Sequence, residues 1–135
     1  MMIWSPLAGG FLTGKYTPED TDGSGGRLST FQFVPINKEL GYKLVERLND
    51  IARAHDATAA QVSLAWLLDK PHVSSPILGA SKFEQLESNL GAIELKLTKQ
   101  ELEELDNFTA PAPIYPNWMY NFPADPIVHV ALHRK

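Results

Sequence analysis

The chain has 135 residues, is 44% hydrophobic and 21% charged, carries a formal net charge of -4, and contains no cysteine. That length and balance fit one globular domain with room for a core. The acidic balance argues against nucleic acid, whose phosphates call for Lys and Arg. No apolar run approaches the ~18 residues of a membrane span, and no basic n-region leads into an apolar h-region. Without cysteine, disulfides and thiolate metal sites are excluded. The expected setting is the cytoplasm, with neither nucleic acid nor membrane as partner.

In chain order, Ile3 to Leu7 is a short apolar stretch stopped by Pro6, suited to a strand that ends in a loop. Gly9 to Val34 follows as a long loop rich in Gly, Thr, Asp and Ser, with DGSGGR as its most flexible point. Loops of that length are often functional. Asn37 is placed to cap a helix whose Leu40, Leu44, Leu48 and Ile51 form one stripe. TAAQ at Thr58 fits a capping box ahead of a helix burying Val62, Ala65, Trp66 and Leu68, with Pro71 just past its end. Val73 to Ser81 reads as a second short strand and turn. Ser81 opens SKFE, a further capping pattern, before a helix with Phe83, Leu86, Leu90 and Ile93 on one side. Thr98 to Glu101 repeats the device ahead of Leu102, Leu105 and Phe108. From Ala110 the chain becomes a proline- and aromatic-rich tail, residues 110–135. Strands separated by helices imply a parallel sheet with crossover connections, and two strands alone leave unpaired edges.

Ligands of parallel α/β folds bind on loops at the carboxyl ends of strands. The first junction presents Ser5, then the small residues Ala8, Gly9 and Gly10, then Lys15. Small residues admit a phosphate close to the backbone, and a lysine supplies a point charge. The second junction presents Gly79-Ala80-Ser81 at a helix start, where free N–H groups favour an anion. Two such junctions on one face suit a phosphate-bearing cofactor lying across the mouth. Taken singly, Gly9-Gly10 reads as an ordinary turn, Ser81 as a helix cap and Lys15 as a solvated lysine. A P-loop is disfavoured, because Gly14 and Lys15 are followed by Tyr16.

WSPLAGGFLTGKY resembles the segment at the seventh strand of the aldo-keto reductases. SPILGASKFEQLESNLGAIELKLTKQELEELD is similar to the same family's eighth strand, eighth helix and following helix. GGRL stands between the two blocks and YPNW near the end, so the resemblance covers roughly Ile3 to Met119. It implies an α/β fold, the C-terminal part of a (β/α)8 TIM barrel, with two parallel strands and about four helices, incomplete as a barrel, since a full one takes about 250 residues or more. It implies NADP(H) extended across the barrel mouth. Trp4, Ser5, Pro6, Leu7, Ala8 and Gly9 would line the nicotinamide and pyrophosphate side, with Trp4 near the nicotinamide ring. Lys15 and Arg27 match the loop that folds over the phosphates. Gly79, Ser81, Gln85 and Asn89 match the segment holding the adenosine end and the 2′-phosphate. The sequence departs from many relatives at Ser88, where they carry an acidic residue, and from some at Gln85, where they carry Arg. NAD(H) therefore stays open beside NADP(H).

The family reduces carbonyls with an Asp, Tyr, Lys and His set from the early and middle strands, ahead of the matching segment. No replacement stands out. Tyr42 and Lys43 are adjacent on a helix and do not share a face, which makes Tyr42 a surface or packing aromatic. His55 at a helix end suits a dipole interaction, and His72 is a loop residue. His129 and His133 are four apart but lack the flanking pattern of a metal site. Glu101, Glu103, Glu104 and Asp106 read as a solvated helix face. The expectation is a partial reductase domain, 1–135, with a small carbonyl substrate only in the full-length parent, no catalytic or metal residues and no turnover alone. A non-catalytic NADP(H)-binding or interaction module is the alternative, and self-association through open sheet edges is expected.

Overall fold

The computed structural model describes residues 1–20, 26–30, 35–112 and 114–115. Two strands, β1 (Met2–Ile3) and β2 (Ser75–Pro76), pair in parallel with Met2 opposite Ser75 and Ile3 opposite Pro76. Between them run α1 (Arg27–Thr30), α2 (Lys38–Ala54) and α3 (Ala59–Leu68); α4 (Phe83–Leu90) and α5 (Lys99–Thr109) follow β2. The crossover is the expected one, but both strands are shorter than the sequence suggests. β1 stops at Ile3 because Ser5 and Ala8 take left-handed φ of 53° and 49°, which an extended strand cannot hold. β2 ends at Pro76, which has no amide to offer the ladder. Ser74 N donates to the Met1 carbonyl at 2.7 Å and Ile77 N to the Ile3 carbonyl at 2.8 Å, closing the pair at both ends.

The three helices with the clearest caps are α2, α3 and α5. Asn37 Oδ1 accepts from Leu40 N at 3.1 Å, and Thr58 and Thr98 both close full capping boxes with Gln61 and Glu101. Leu44, Leu48, Ile51 and Ala52 of α2 meet Ala59 and Val62 of α3 and Leu105 of α5 in the main core. Each buried Leu, Ile or Val side chain there contributes roughly 1.5–3 kcal/mol of burial. Leu40, expected on the α2 stripe, is exposed, as is Leu68 at the end of α3. A second cluster of Phe11, Tyr16 and Val45, with Leu28 and Tyr42 against it, ties the loop after β1 to α2. That loop is less irregular than expected, since Phe11–Thr13 closes a tight turn after the left-handed kink at Gly9 and Gly10, and Arg27–Thr30 forms a single helical turn.

Ser81 is not the N-cap of α4. Lys82 holds that position without a side-chain cap bond, and Ser81 donates through N and Oγ to Gln85 Oε1 at 3.3 and 3.2 Å. The glutamine side chain thus reaches back to the turn, and no Ser hydroxyl accepts from the helix start. Gln61 fixes the other end of α4, donating from Nε2 to the Ser88 carbonyl at 2.7 Å. Phe83, Leu86, Leu90 and Ile93, the apolar side of α4 and the 3₁₀ turn Gly91–Ile93, remain exposed, Phe83 by 73%. The proline- and aromatic-rich tail from residue 116 onward, with His129 and His133, lies outside the described residues.

Candidate functional site at the carboxyl edge of the strand pair

Because β1 and β2 are parallel neighbours, their carboxyl ends open onto the same edge. Trp4 leaves β1 more than half exposed. Ser5 then turns the chain: its carbonyl accepts from Ala8 N at 2.9 Å and its Oγ accepts from Gly9 N at 3.2 Å. The Ser5 hydroxyl still has its own proton to donate. Pro6, Leu7 and Ala8 are half-buried beneath the turn. Gly9 and Gly10 follow with φ of 67° and 92°. A Cβ on Gly9 would stand 2.8 Å from Leu28 Cδ2, so the glycine lets α1 settle on the turn. Arg27 opens α1 beside Leu28 and is exposed.

Lys15 is exposed without being merely solvated, for its Nζ lies 5.1 Å from the centre of the Tyr16 ring. Across the edge, Gly79 has open space where a Cβ would stand, and Ser81 and Gln85 are bonded to each other. Asn89, one turn beyond Gln85, is half-buried and lines a cleft of about 230 Å³ with Leu64, Ser75, Pro76, Leu78 and Leu90. The pairing of the strands therefore brings the two junctions to one edge, and Asn89 leans toward the apolar cleft behind β2. The twelve candidate residues contain two cations and two hydroxyls and no carboxylate, a donor set that fits a phosphate-bearing ligand.

Three of the four carboxylates read as a solvated face are engaged. Partial burial pushes the Glu101 carboxyl up, but hydrogen bonds from Thr98 and His55 outweigh it and hold it below the ordinary value. His55 Nε2 is 2.9 and 3.1 Å from the two Glu101 oxygens, so the imidazole clasps α5 and is not limited to a helix-dipole contact. Glu104 pairs with Arg47, whose guanidinium lies 4.5 Å from the Phe108 ring. The Lys70 ammonium holds Asp106 below its ordinary value, helped by the Trp66 indole N–H at 2.8 Å. Glu103 faces solvent beside Lys99. Tyr42 is a packing aromatic whose hydroxyl donates to the Thr17 carbonyl at 3.1 Å.

Two residues that sequence reasoning passed over hold this frame. Tyr16 is buried and accepts from Leu28 N at 3.2 Å; an aromatic behind Gly-Lys in a polar loop was its only signal. Gln61 joins α3 to α4, and its place in a capping box hid that longer reach. Among the described residues, no group of three or more His, Asp or Glu could hold a metal, and no helix is long and apolar enough to cross a membrane.

A parallel strand pair joined by crossover helices, with its loops gathered at the carboxyl edge, is an α/β arrangement of the kind found in (β/α)8 barrels. The chain belongs to the aldo/keto reductase family, whose model matches residues 1–110. A Schizosaccharomyces pombe protein described as a putative voltage-gated potassium channel subunit beta is 42% identical over 119 residues, covering 79% of this chain and 34% of that protein. A probable aldo-keto reductase 1 of Glycine max is 33% identical over 102 residues, covering 76% of this chain and 30% of that one. The crystal structure of a thermostable aldo-keto reductase in complex with the inhibitor epalrestat superposes with a TM-score of 0.50 at 30% identity, over 79% of this chain and 28% of its own. The chain thus spans about a third of the length of these curated relatives. Its fold is part of the family's (β/α)8 barrel, with a sheet that the described strands leave unclosed.

Proposed function

We propose that these residues form the cofactor-holding part of an NADP(H)-dependent reductase of aldehydes or ketones. The observation that carries this reading is the parallel pairing of β1 with β2, which sets the Trp4–Lys15 turn beside the Gly79–Asn89 segment at one edge. When bound, the nicotinamide supplies the hydride for the carbonyl carbon. Trp4 offers an exposed indole face for the ring to lie against. The Ser5 hydroxyl donates to a ribose or phosphate oxygen, and Pro6, Leu7, Ala8 and Gly9 keep the backbone low beneath it. Lys15 and Arg27 neutralise phosphate charge, while Gly79, Ser81, Gln85 and Asn89 take the adenosine end. The Asp, Tyr, Lys and His that hold the substrate and move the proton belong, in this reading, outside these 135 residues, so residues 1–135 alone give no turnover. Residues 110–135 form the C-terminal segment of this partial domain, and the protein works in the cytoplasm.

NADPH titrated into the 135-residue chain is expected to quench tryptophan emission, with affinity lost roughly fivefold or more in Lys15→Ala or Arg27→Ala, as for a charge-assisted contact. Absence of quenching, or quenching that neither substitution weakens, overturns the cofactor reading. NADH run in parallel decides between the two nicotinamide cofactors. A second reading, a non-catalytic binding or interaction module, is favoured by the identity to the relative described as a putative voltage-gated potassium channel subunit beta. Carbonyl reduction by a chain extended with the family's preceding strands separates the two, since the module reading predicts binding without NADPH consumption.

A further inference from the structure

We propose that Tyr16 is a positioning residue that sets both cations of the candidate mouth, Lys15 through its ring and the Arg27 segment through its hydroxyl. The inference deepens the cofactor reading and rests on it. Tyr16 is 2% exposed and stacks on Phe11 with ring centres 5.8 Å apart and planes 9° from parallel. That stack belongs to the cluster anchored on Val45 of α2, so the ring is fixed to the rigid helical body.

Two contacts leave the ring toward the mouth. Its face meets the Lys15 ammonium 5.1 Å from the ring centre, a geometry in which the quadrupole attracts a cation. The same ammonium would lie 3.3 Å from a Cβ on Gly10, so Tyr16 holds it over the glycine turn. The hydroxyl accepts from Leu28 N at 3.2 Å. This close approach needs a glycine at 26, where a Cβ would stand 2.4 Å from the phenol oxygen. Leu28 is pinned a second time by its side chain against Gly9. Arg27 lies between residue 26, packed on the phenol, and residue 28, bonded to it. A core aromatic serving packing alone would need no hydroxyl, and phenylalanine would fill the same space.

The test is a double-mutant cycle read by NADPH affinity, with amide exchange as a ligand-free readout. Tyr16→Phe keeps the stack and the face toward Lys15 and removes one hydrogen bond. It is expected to weaken NADPH roughly twofold to tenfold and to speed exchange of the Leu28 amide. The affinity loss should vanish in an Arg27→Ala background and persist in a Lys15→Ala background, a split that a merely structural role would not produce. Tyr16→Leu should lose more, since Lys15 then has no ring; if that variant fails to fold, the Tyr16→Phe cycle decides alone. Wild-type affinity in Tyr16→Phe, or equal loss in the Arg27→Ala background, overturns the proposal. Wild-type protein that binds no NADPH overturns the cofactor reading first and this inference with it, so the two failures are told apart.

Discussion

Replacing Glu101 by alanine removes two contacts of different range. The carboxylate accepts from Thr98 N at 2.7 Å and Thr98 Oγ1 at 2.8 Å, closing the capping box of α5, and it holds His55 of the α2 end at 2.9 Å. The box is worth about 1 kcal/mol. A hydrogen bond to a charged group is worth about 1.5–3 kcal/mol, taken at the low end because the two side chains keep 22% and 19% exposure. Glu101→Ala should therefore lose about 2–3 kcal/mol in urea unfolding followed by circular dichroism at neutral pH. Glu101→Gln keeps an oxygen for Thr98, as Gln61 does for Thr58, and loses only the charge, about 0.5–1.5 kcal/mol. The wild-type carboxyl is held below its ordinary value, so its contribution is complete above the unfolded pKa of ~4.3 and fades as pH falls through the lowered one. The gap between wild type and Glu101→Gln should shrink accordingly on acidification. Equal losses in the two variants, or a gap that does not change with pH, would refute this account.

The remaining expectations probe the frame around the mouth. Gln61→Glu preserves the acceptor of the α3 capping box but sets a carboxylate against the Ser88 carbonyl that Gln61 now serves; a loss of about 1–2 kcal/mol in urea unfolding is expected, where an ordinary capping box would tolerate the change. Gly41→Ala should destabilise by about 1–3 kcal/mol despite the better helix propensity of alanine, because its Cβ would stand 2.6 Å from Phe11 Cε1; a rise in melting temperature would contradict the packing. Phe83→Glu with Ile93→Glu, at side chains 73% and 56% exposed, should leave concentration-dependent association through the open sheet edges unchanged in sedimentation velocity; association abolished by the pair would place the contact on the α4 stripe instead.

Helices α2, α3 and α5 were legible because each carries both an apolar period and a capping residue whose partner lies within three positions, so the signal is local. The Ser81 pattern looks the same on paper, yet Gln85 captures the Ser81 hydroxyl and amide before it can cap. The strands were overextended because an apolar run does not reveal the left-handed turn at Ser5. The pairings of Glu101 with His55, Glu104 with Arg47 and Asp106 with Lys70 join residues dozens of positions apart, and no periodicity within α5 reports them. The same distance hides Tyr16, whose role depends on where residues 26–28 come to rest. The glycine turn and the second junction could be marked as phosphate-friendly from residue type. Their common face followed from the expected parallel sheet, and the structure added the register that sets Met2 opposite Ser75 and Ile3 opposite Pro76.

The backbone bond from Ser74 N to the Met1 carbonyl closes a span of 73 positions. Closing so long a loop costs conformational entropy that only contacts already formed can offset. The α2–α3 pair, close in sequence and sharing the main core, is suited to condense first, with the strand pair zipping up afterwards. The carboxyl edge of the strand pair would then be the last region to assemble and the first to open in local unfolding. A molecule bound across it would act mainly on the unfolding rate, lengthening the life of the folded chain while leaving its rate of formation almost unchanged.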